Sequence, residues 1–182
     1  APAFAMDLFL VKLEEMGHHV VVGANGIGVS MCATRYPKSV SFKTAPYPGF
    51  PTDLQAPMLA AQCVASGTSV IYETVYENRL LHVMELQKMG AQIKVEHNKA
   101  TIIGVETLYG ASIIAPDIRG SCALVLAGLV AQGVTYMSGI HHLARGYEQF
   151  PKKLQSLGAS IYYESTLVTS IVAHQEKRLQ QA

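Results

Sequence analysis

The sequence lacks a long apolar run. No stretch of its 182 residues reaches the roughly 18 that a membrane span needs. The most apolar segment, Cys122 to Val134, is broken by two glycines and a glutamine, and reads as a buried helix. A basic stretch leading into an apolar core is also missing from Ala1 to Phe9, so no secretory leader is expected and the cytoplasm is the expected compartment. Charge of one sign is missing too. Fourteen Lys and Arg against thirteen Asp and Glu leave a formal charge of +1, which gives no footing for a nucleic-acid or membrane-surface partner. Cysteine is scarce: Cys32, Cys63 and Cys122 are odd in number and lack metal-ligand spacing, so reduced, buried thiols are expected. With 49% hydrophobic and 15% charged residues, what remains reads as a compact, soluble, globular chain.

The chain also repeats itself. Lys12-Leu13-Glu14-Glu15-Met16-Gly17, Glu85-Leu86-Gln87-Lys88-Met89-Gly90 and Lys153-Leu154-Gln155-Ser156-Leu157-Gly158 are three versions of one helix end. Each closes on a glycine, as a left-handed C-terminal cap requires. A β-rich run follows each: Val20 to Val22, Ile93 to Val95, and Ile161 to Tyr163. After the first two, Gly23-Ala24-Asn25-Gly26 and His97-Asn98-Lys99 predict turns into second strands over Ile27 to Met31 and Ala100 to Ile103. The capping glycines stand 73 and 68 residues apart (90 − 17 and 158 − 90). That is too long for a solenoid repeat of roughly 20 to 50 residues, and suits a small subdomain used repeatedly.

A second kind of helix alternates with the first. Asp53 and Asp117 open helical stretches that stop at Ser66-Gly67 and Gln132-Gly133. Strands follow over Thr68 to Tyr72 and Val134 to Met137. An arginine then comes 12 residues after each glycine, at Arg79 and Arg145 (79 − 67 and 145 − 133). The unit is therefore strand, Asp, helix, Gly, strand, Arg, helix, Gly, strand, turn, strand. The copies fall at about 1–31, 39–103 and 108–164, with the first and last incomplete, and residues 165–182 are set apart as a tail.

Several polar residues recur at loops. Either aspartate can simply cap its helix by accepting free backbone amides. Asp53 differs in closing a stiff loop, Tyr47-Pro48-Gly49-Phe50-Pro51-Thr52, which suits a carboxylate held in one orientation as a general base or as an acceptor of ligand hydroxyls. Arg79 and Arg145 precede helices, and Arg119 falls in the first turn of one, where a cation opposes the helix dipole unless an anion compensates. Converging, the three would suit a ligand carrying carboxylate and phosphate; salt bridges to Glu73, Glu77 or Glu148 are the alternative. In the pairs His18-His19 and His141-His142, adjacent residues are expected to leave a helix or strand in different directions, and completing Cys, Asp or Glu ligands are not found nearby, so no metal is expected. Asn25-Gly26-Ile27-Gly28 leads from strand to strand, which favours a hairpin turn over a phosphate loop.

Four motifs in order, TAPYPGFPTDLQ (Thr44 to Gln55), ETVYENR (Glu73 to Arg79), APDIRG (Ala115 to Gly120) and ARGYEQ (Ala144 to Gln149), resemble the C-terminal part of the UDP-N-acetylglucosamine enolpyruvyl transferases, or 1-carboxyvinyltransferases. The resemblance runs from about Asp7 to Tyr163. It implies an α/β fold of repeated β-α-β-α-β-β units, forming one lobe of an inside-out α/β barrel. It also implies transfer of the enolpyruvyl group of phosphoenolpyruvate to the 3-hydroxyl of UDP-N-acetylglucosamine in peptidoglycan synthesis, with no cofactor. By motif, Asp53 is the catalytic aspartate at the sugar 3-hydroxyl, and Val75 contacts the UDP-sugar through its backbone. Arg79, Arg119 and Arg145 line the phosphoenolpyruvate end, and Asp117 sits at the cleft. The family's reactive-cysteine loop and its phosphate-binding lysine belong to parts not matched here, and none of the three cysteines lies in such a loop. The isolated chain is therefore expected not to turn over alone, and a complementary N-terminal lobe or self-association is the expected partner. A non-catalytic binding module, or the related shikimate-pathway transferase, are the other readings.

Overall fold

The computed structural model describes residues 3–164 and 170–174. Its helices are α1 (Asp7–Glu15), α2 (Gln55–Gln62), α3 (Val83–Lys88), α4 (Ile118–Val130), α5 (His141–Gly146) and α6 (Phe150–Ser156). The strands are β1 (His19–Val22), β2 (Val29–Cys32), β3 (Phe42–Lys43), β4 (Thr68–Tyr72), β5 (Gln92–Glu96), β6 (Lys99–Ile103), β7 (Ser112–Ile114), β8 (Val134–Ser138), β9 (Ser160–Tyr163) and β10 (Ser170–His174). They form two compact units. The first joins the chain up to Leu80 with Ala91–Glu106, and the second joins Leu81–Gly90 with the chain from Thr107 onward.

Each unit contains a four-stranded sheet of the same topology. The order is β3-β4-β6-β5 in the first and β7-β8-β10-β9 in the second. In both, the first pair is parallel and the others antiparallel. The mixture follows from the connections: a helix separates the parallel strands, while in the first sheet a turn suffices to join β5 and β6. Alternate residues face the core, so Ser69 and Ile71 on β4 meet Ile102 and Ala100 on β6. Met137 of β8 likewise meets Ile171 of β10.

The helices divide by burial. On α2 nearly every side chain is inside, including Ala56, Met58, Leu59 and Gln62, and α4 buries Gly120 through Val125 with Ala127 and Gly128. Helices apolar all round are buried ones, and each fully buried Leu or Met contributes roughly 1.5–3 kcal/mol. Within α2, Gln62 is satisfied internally: its Oε1 accepts the Val40 N–H at 2.8 Å, and its Nε2 points at the sulfurs of Met16 and Met58. By contrast α1 buries only Leu10, and α6 only Pro151. Helix α3 packs on β7 and α4 of the second unit, ahead of the sheet it precedes in sequence.

The repeat extends to single backbone hydrogen bonds. Met16 O accepts the Lys38 N–H at 2.9 Å, and Met89 O accepts the Tyr109 N–H at 2.8 Å. Ser66 N–H then donates to Pro37 O, and Gln132 N–H to Leu108 O, both at 2.8 Å. The three helix-ending glycines have φ of 94°, 92° and 88°, the left-handed cap expected of them.

Four details depart from expectation. The first hairpin's second strand is Val29–Cys32 rather than Ile27 to Met31: Ala24–Gly26 forms a 3-10 turn where a turn is expected, and the Gly23 N–H, donating to Gly28 O at 2.9 Å, closes the connection only at Gly28. Helix α2 begins at Gln55, since Thr52–Leu54 forms a 3-10 turn and Asp53 lies inside it. Cys32 is exposed at the end of β2, although Cys63 and Cys122 are buried as expected. Within the span set apart as a tail, Ser170–His174 forms β10 between β8 and β9, burying Ile171, Val172 and Ala173. The third copy therefore closes on an antiparallel strand pair, as the second does. The rest of 165–182 lies outside the described residues.

Candidate functional site

In the first unit the site residues surround the end of β4. The loop before α2 is shaped by Phe50, buried and stacked on Phe42 with ring centroids 4.0 Å apart. Ala45 N–H donates to Phe50 O at 3.0 Å and Gly49 N–H to Pro46 O at 2.7 Å, closing the loop on itself. A Cβ on Gly49 would lie 2.4 Å from the Ala45 Cβ and 2.8 Å from Pro46 O, so the turn admits only glycine there. The chain leaves this loop into the turn carrying Asp53.

The N-cap positions of the turn and of α2 fall to Pro51 and Leu54, so Asp53 is the cap residue of neither. Its side chain is 55% exposed, and its Oδ1 lies 3.5 Å from Arg79 Nη2. Arg79 is only 14% exposed and also covers the Tyr76 ring at 4.5 Å. An ion pair this open contributes roughly 0–1 kcal/mol. The pair therefore orients a carboxylate toward solvent more than it stabilises the fold.

Glu73 is the residue that the sequence reading missed as a site component. Treated there as a salt-bridge partner for an arginine, it is instead a buried acceptor at the end of β4, 3% exposed. Oε1 accepts from Thr44 Oγ1 and Val75 N at 2.8 Å and from Tyr76 N at 3.0 Å, while Oε2 accepts from Thr52 Oγ1 at 2.8 Å. Val75 thus spends its N–H inside the protein. The signal available in sequence was a glutamate directly after a β run, where turn amides need an acceptor.

The second unit treats its aspartate differently. Asp117 caps α4, its Oδ1 accepting the N–H groups of Arg119 and Gly120 at 2.8 Å each. Ser121 Oγ also donates to the Asp117 carbonyl. Arg119, in the first turn of α4, donates to the Tyr147 hydroxyl, which in turn faces the Cys122 thiol. Burial pushes Tyr147 up to about 12 and raises Cys122 as well. The Arg119 guanidinium also reaches Gly146: a Cβ there would be 3.8 Å from Nη1 and 2.2 Å from Ile118 Cγ2. Arg145, one residue earlier at the end of α5, is exposed and has no carboxylate partner among the described residues. Glu148, its suggested alternative partner, lies 3.4 Å from Lys153.

Thus Asp53, Val75 and Arg79 gather in the first unit, and Asp117, Arg119 and Arg145 in the second. The buried thiols are unsuited to nucleophilic work. Cys63 is pushed up to about 12 by desolvation, so almost none of it is thiolate at neutral pH.

Known proteins match this chain in sequence and in fold. UDP-N-acetylglucosamine 1-carboxyvinyltransferase of Xylella fastidiosa (strain M12) is 52% identical over 156 residues, covering 86% of this chain and 36% of that protein. The protein of the same name from Cellvibrio japonicus (strain Ueda107) is 50% identical over 159 residues, covering 87% of this chain and 38% of its own length. The chain therefore spans little more than a third of these relatives. Among solved structures, the enolpyruvyl transferase NikO from Streptomyces tendae superposes with a TM-score of 0.74 at 30% identity, over 95% of this chain and 37% of that one. EPSP synthase from Acinetobacter baumannii shares the fold, with a TM-score of 0.67 at 20% identity over 93% of this chain and 39% of that one. The family model described as EPSP synthase (3-phosphoshikimate 1-carboxyvinyltransferase) matches residues 4–154. With the repeated sheet topology and these matches together, the chain belongs to the enolpyruvyl transferase family.

Proposed function

We propose that this chain supplies part of the substrate site of a UDP-N-acetylglucosamine 1-carboxyvinyltransferase, acting in the cytoplasm in peptidoglycan synthesis. The reaction joins the sugar 3-hydroxyl oxygen to C2 of phosphoenolpyruvate and releases phosphate, with the hydroxyl proton leaving to a base. Asp53 is that base and the ligand of the hydroxyl. The observation that carries the assignment is its half-exposed carboxylate, 3.5 Å from the Arg79 guanidinium at the end of a stiff loop. Its counterpart Asp117 keeps one oxygen on the helix amides and has the other for the ligand or the arginines. The Val75 carbonyl takes a polar group of the UDP-sugar. Arg79, Arg119 and Arg145 serve the carboxylate and phosphate of phosphoenolpyruvate, for which guanidinium forks are suited.

The acceptor is the UDP-sugar rather than a shikimate because relatives named for it share about half their residues with this chain over 156–159 positions. Turnover needs a complementary N-terminal lobe, since neither the family's cysteine loop nor its lysine motif is found in these 182 residues. The test is phosphate release from phosphoenolpyruvate and UDP-N-acetylglucosamine, with this chain alone and with a family N-terminal lobe added. Release only in the mixture is expected. Release by the chain alone, or with shikimate 3-phosphate in place of the UDP-sugar, contradicts the reading.

A further inference from the structure

Four donors converge on the two oxygens of one buried side chain, Glu73, and they come from three separate stretches of the first unit. Thr44 directly follows β3, Thr52 precedes Asp53 in the turn before α2, and Val75 and Tyr76 lie in the loop after β4. Thr44 Oγ1, buried and donating to Glu73, also accepts the Thr74 N–H at 2.9 Å, and Thr74 Oγ1 returns a bond to the Thr44 carbonyl at 2.6 Å. The loop after β4 is thereby locked to the end of β3.

Each site residue of the first unit is tied to this one carboxyl group: Val75 and Asp53 of the UDP-sugar end, and Arg79 of the phosphoenolpyruvate end. Val75 is bonded to it directly. Asp53 follows Thr52, whose hydroxyl is held on Oε2. Arg79 lies over the ring of Tyr76, whose N–H is held on Oε1. We infer that Glu73 is a positioning residue for the nucleotide-sugar site, setting the Val75 carbonyl and the Asp53 carboxylate at a fixed separation before ligand arrives; this rests on the substrate assignment above. A glutamate meets the need because its reach spans the strand end and both loops. Aspartate is one methylene too short to serve both oxygens' partners, whereas glutamine keeps the length and the Oε1 acceptor that holds three of the four donors. Preformed geometry of this kind is gained as affinity, because the ligand need not order the loops itself.

The experiment compares Glu73→Ala, Glu73→Gln, Glu73→Asp and Thr52→Val in the whole 182-residue chain. It measures affinity for UDP-N-acetylglucosamine by calorimetry and exchange of the Val75 and Tyr76 amides by NMR. Glu73→Ala is expected to weaken binding and speed exchange at both amides by about tenfold or more. Glu73→Gln recovers most of both losses, and Glu73→Asp recovers less despite keeping the charge. Thr52→Val weakens binding while leaving the Val75 amide protected. A folded Glu73→Ala protein that binds as wild type does, or an aspartate variant that outperforms glutamine, overturns the role. If Glu73→Ala does not fold, Glu73→Asp and Thr52→Val decide, and wild-type affinity in both overturns it. If the wild-type chain binds no UDP-sugar, the substrate assignment fails. The exchange data still judge the hub, and unchanged protection at Val75 and Tyr76 in the variants overturns it.

Discussion

Arg79 Nη2 stands 3.5 Å from Asp53 Oδ1, while in the second unit Asp117 spends its Oδ1 on the backbone amides of Arg119 and Gly120. The two aspartates occupy equivalent places in a repeated unit and do opposite things. One is built into a helix start, and the other is presented to solvent beside a cation.

That contrast predicts opposite effects on stability. Asp117→Ala removes a helix N-cap and should cost about 0.5–2 kcal/mol. Asp53→Ala removes the half-exposed carboxylate beside Arg79 and should cost less than about 1 kcal/mol. Urea denaturation of both variants measures the difference. A loss at Asp53 equal to or above that at Asp117 would show that Asp53 is a structural residue.

The loop before Asp53 predicts a second contrast. A methyl on Gly49 meets the Ala45 Cβ and the Pro46 carbonyl, which are held by the loop's own hydrogen bonds, so the backbone must move. A methyl on Gly146 meets chiefly a terminal carbon of Ile118, which can rotate away. Gly49→Ala should therefore destabilise by roughly 1–3 kcal/mol, and by more than Gly146→Ala. Thermal melts of the two variants check the order.

Alkaline pH should unfold the protein in a way traceable to two buried groups. Burial raises Cys63 from 9.0 to about 12, and Tyr147 from 10.0 to about 12. The folded state therefore holds these protons more tightly than the unfolded state. The stability they contribute is complete below about pH 9 and is lost as pH climbs toward 12. Urea midpoints should fall across that window, and less steeply in Cys63→Ala. Alkylation of the native protein should label the exposed Cys32 and leave Cys63 and Cys122 until denaturant is added.

Much of the fold was legible because glycine caps and β runs are local signals. Gly17, Gly90 and Gly158 mark helix ends through a backbone angle other residues resist, and Thr68–Tyr72 is a strand with the bounds read from sequence. Strand β10 escaped notice because its apolar Ile171-Val172-Ala173 is short and is followed by a polar end, and only pairing on both sides reveals it as a central strand. At the candidate site, Asp53 and Arg79 were legible as residues but not as a pair. Their contact crosses 26 positions and depends on how the loop folds back. Glu73 was least legible. A charged residue is ordinarily exposed, and its burial here is stabilised by donors from Thr44 and Thr52 that lie far off in sequence.

Titration of UDP-N-acetylglucosamine into the 182-residue chain and into its Asp53→Ala variant, followed by calorimetry, tests the assignment of Asp53 most directly. Saturable binding by the wild type, weakened about tenfold or more in a variant that melts at the same temperature, is the predicted result. Equal binding by the two proteins, at any affinity, would contradict it.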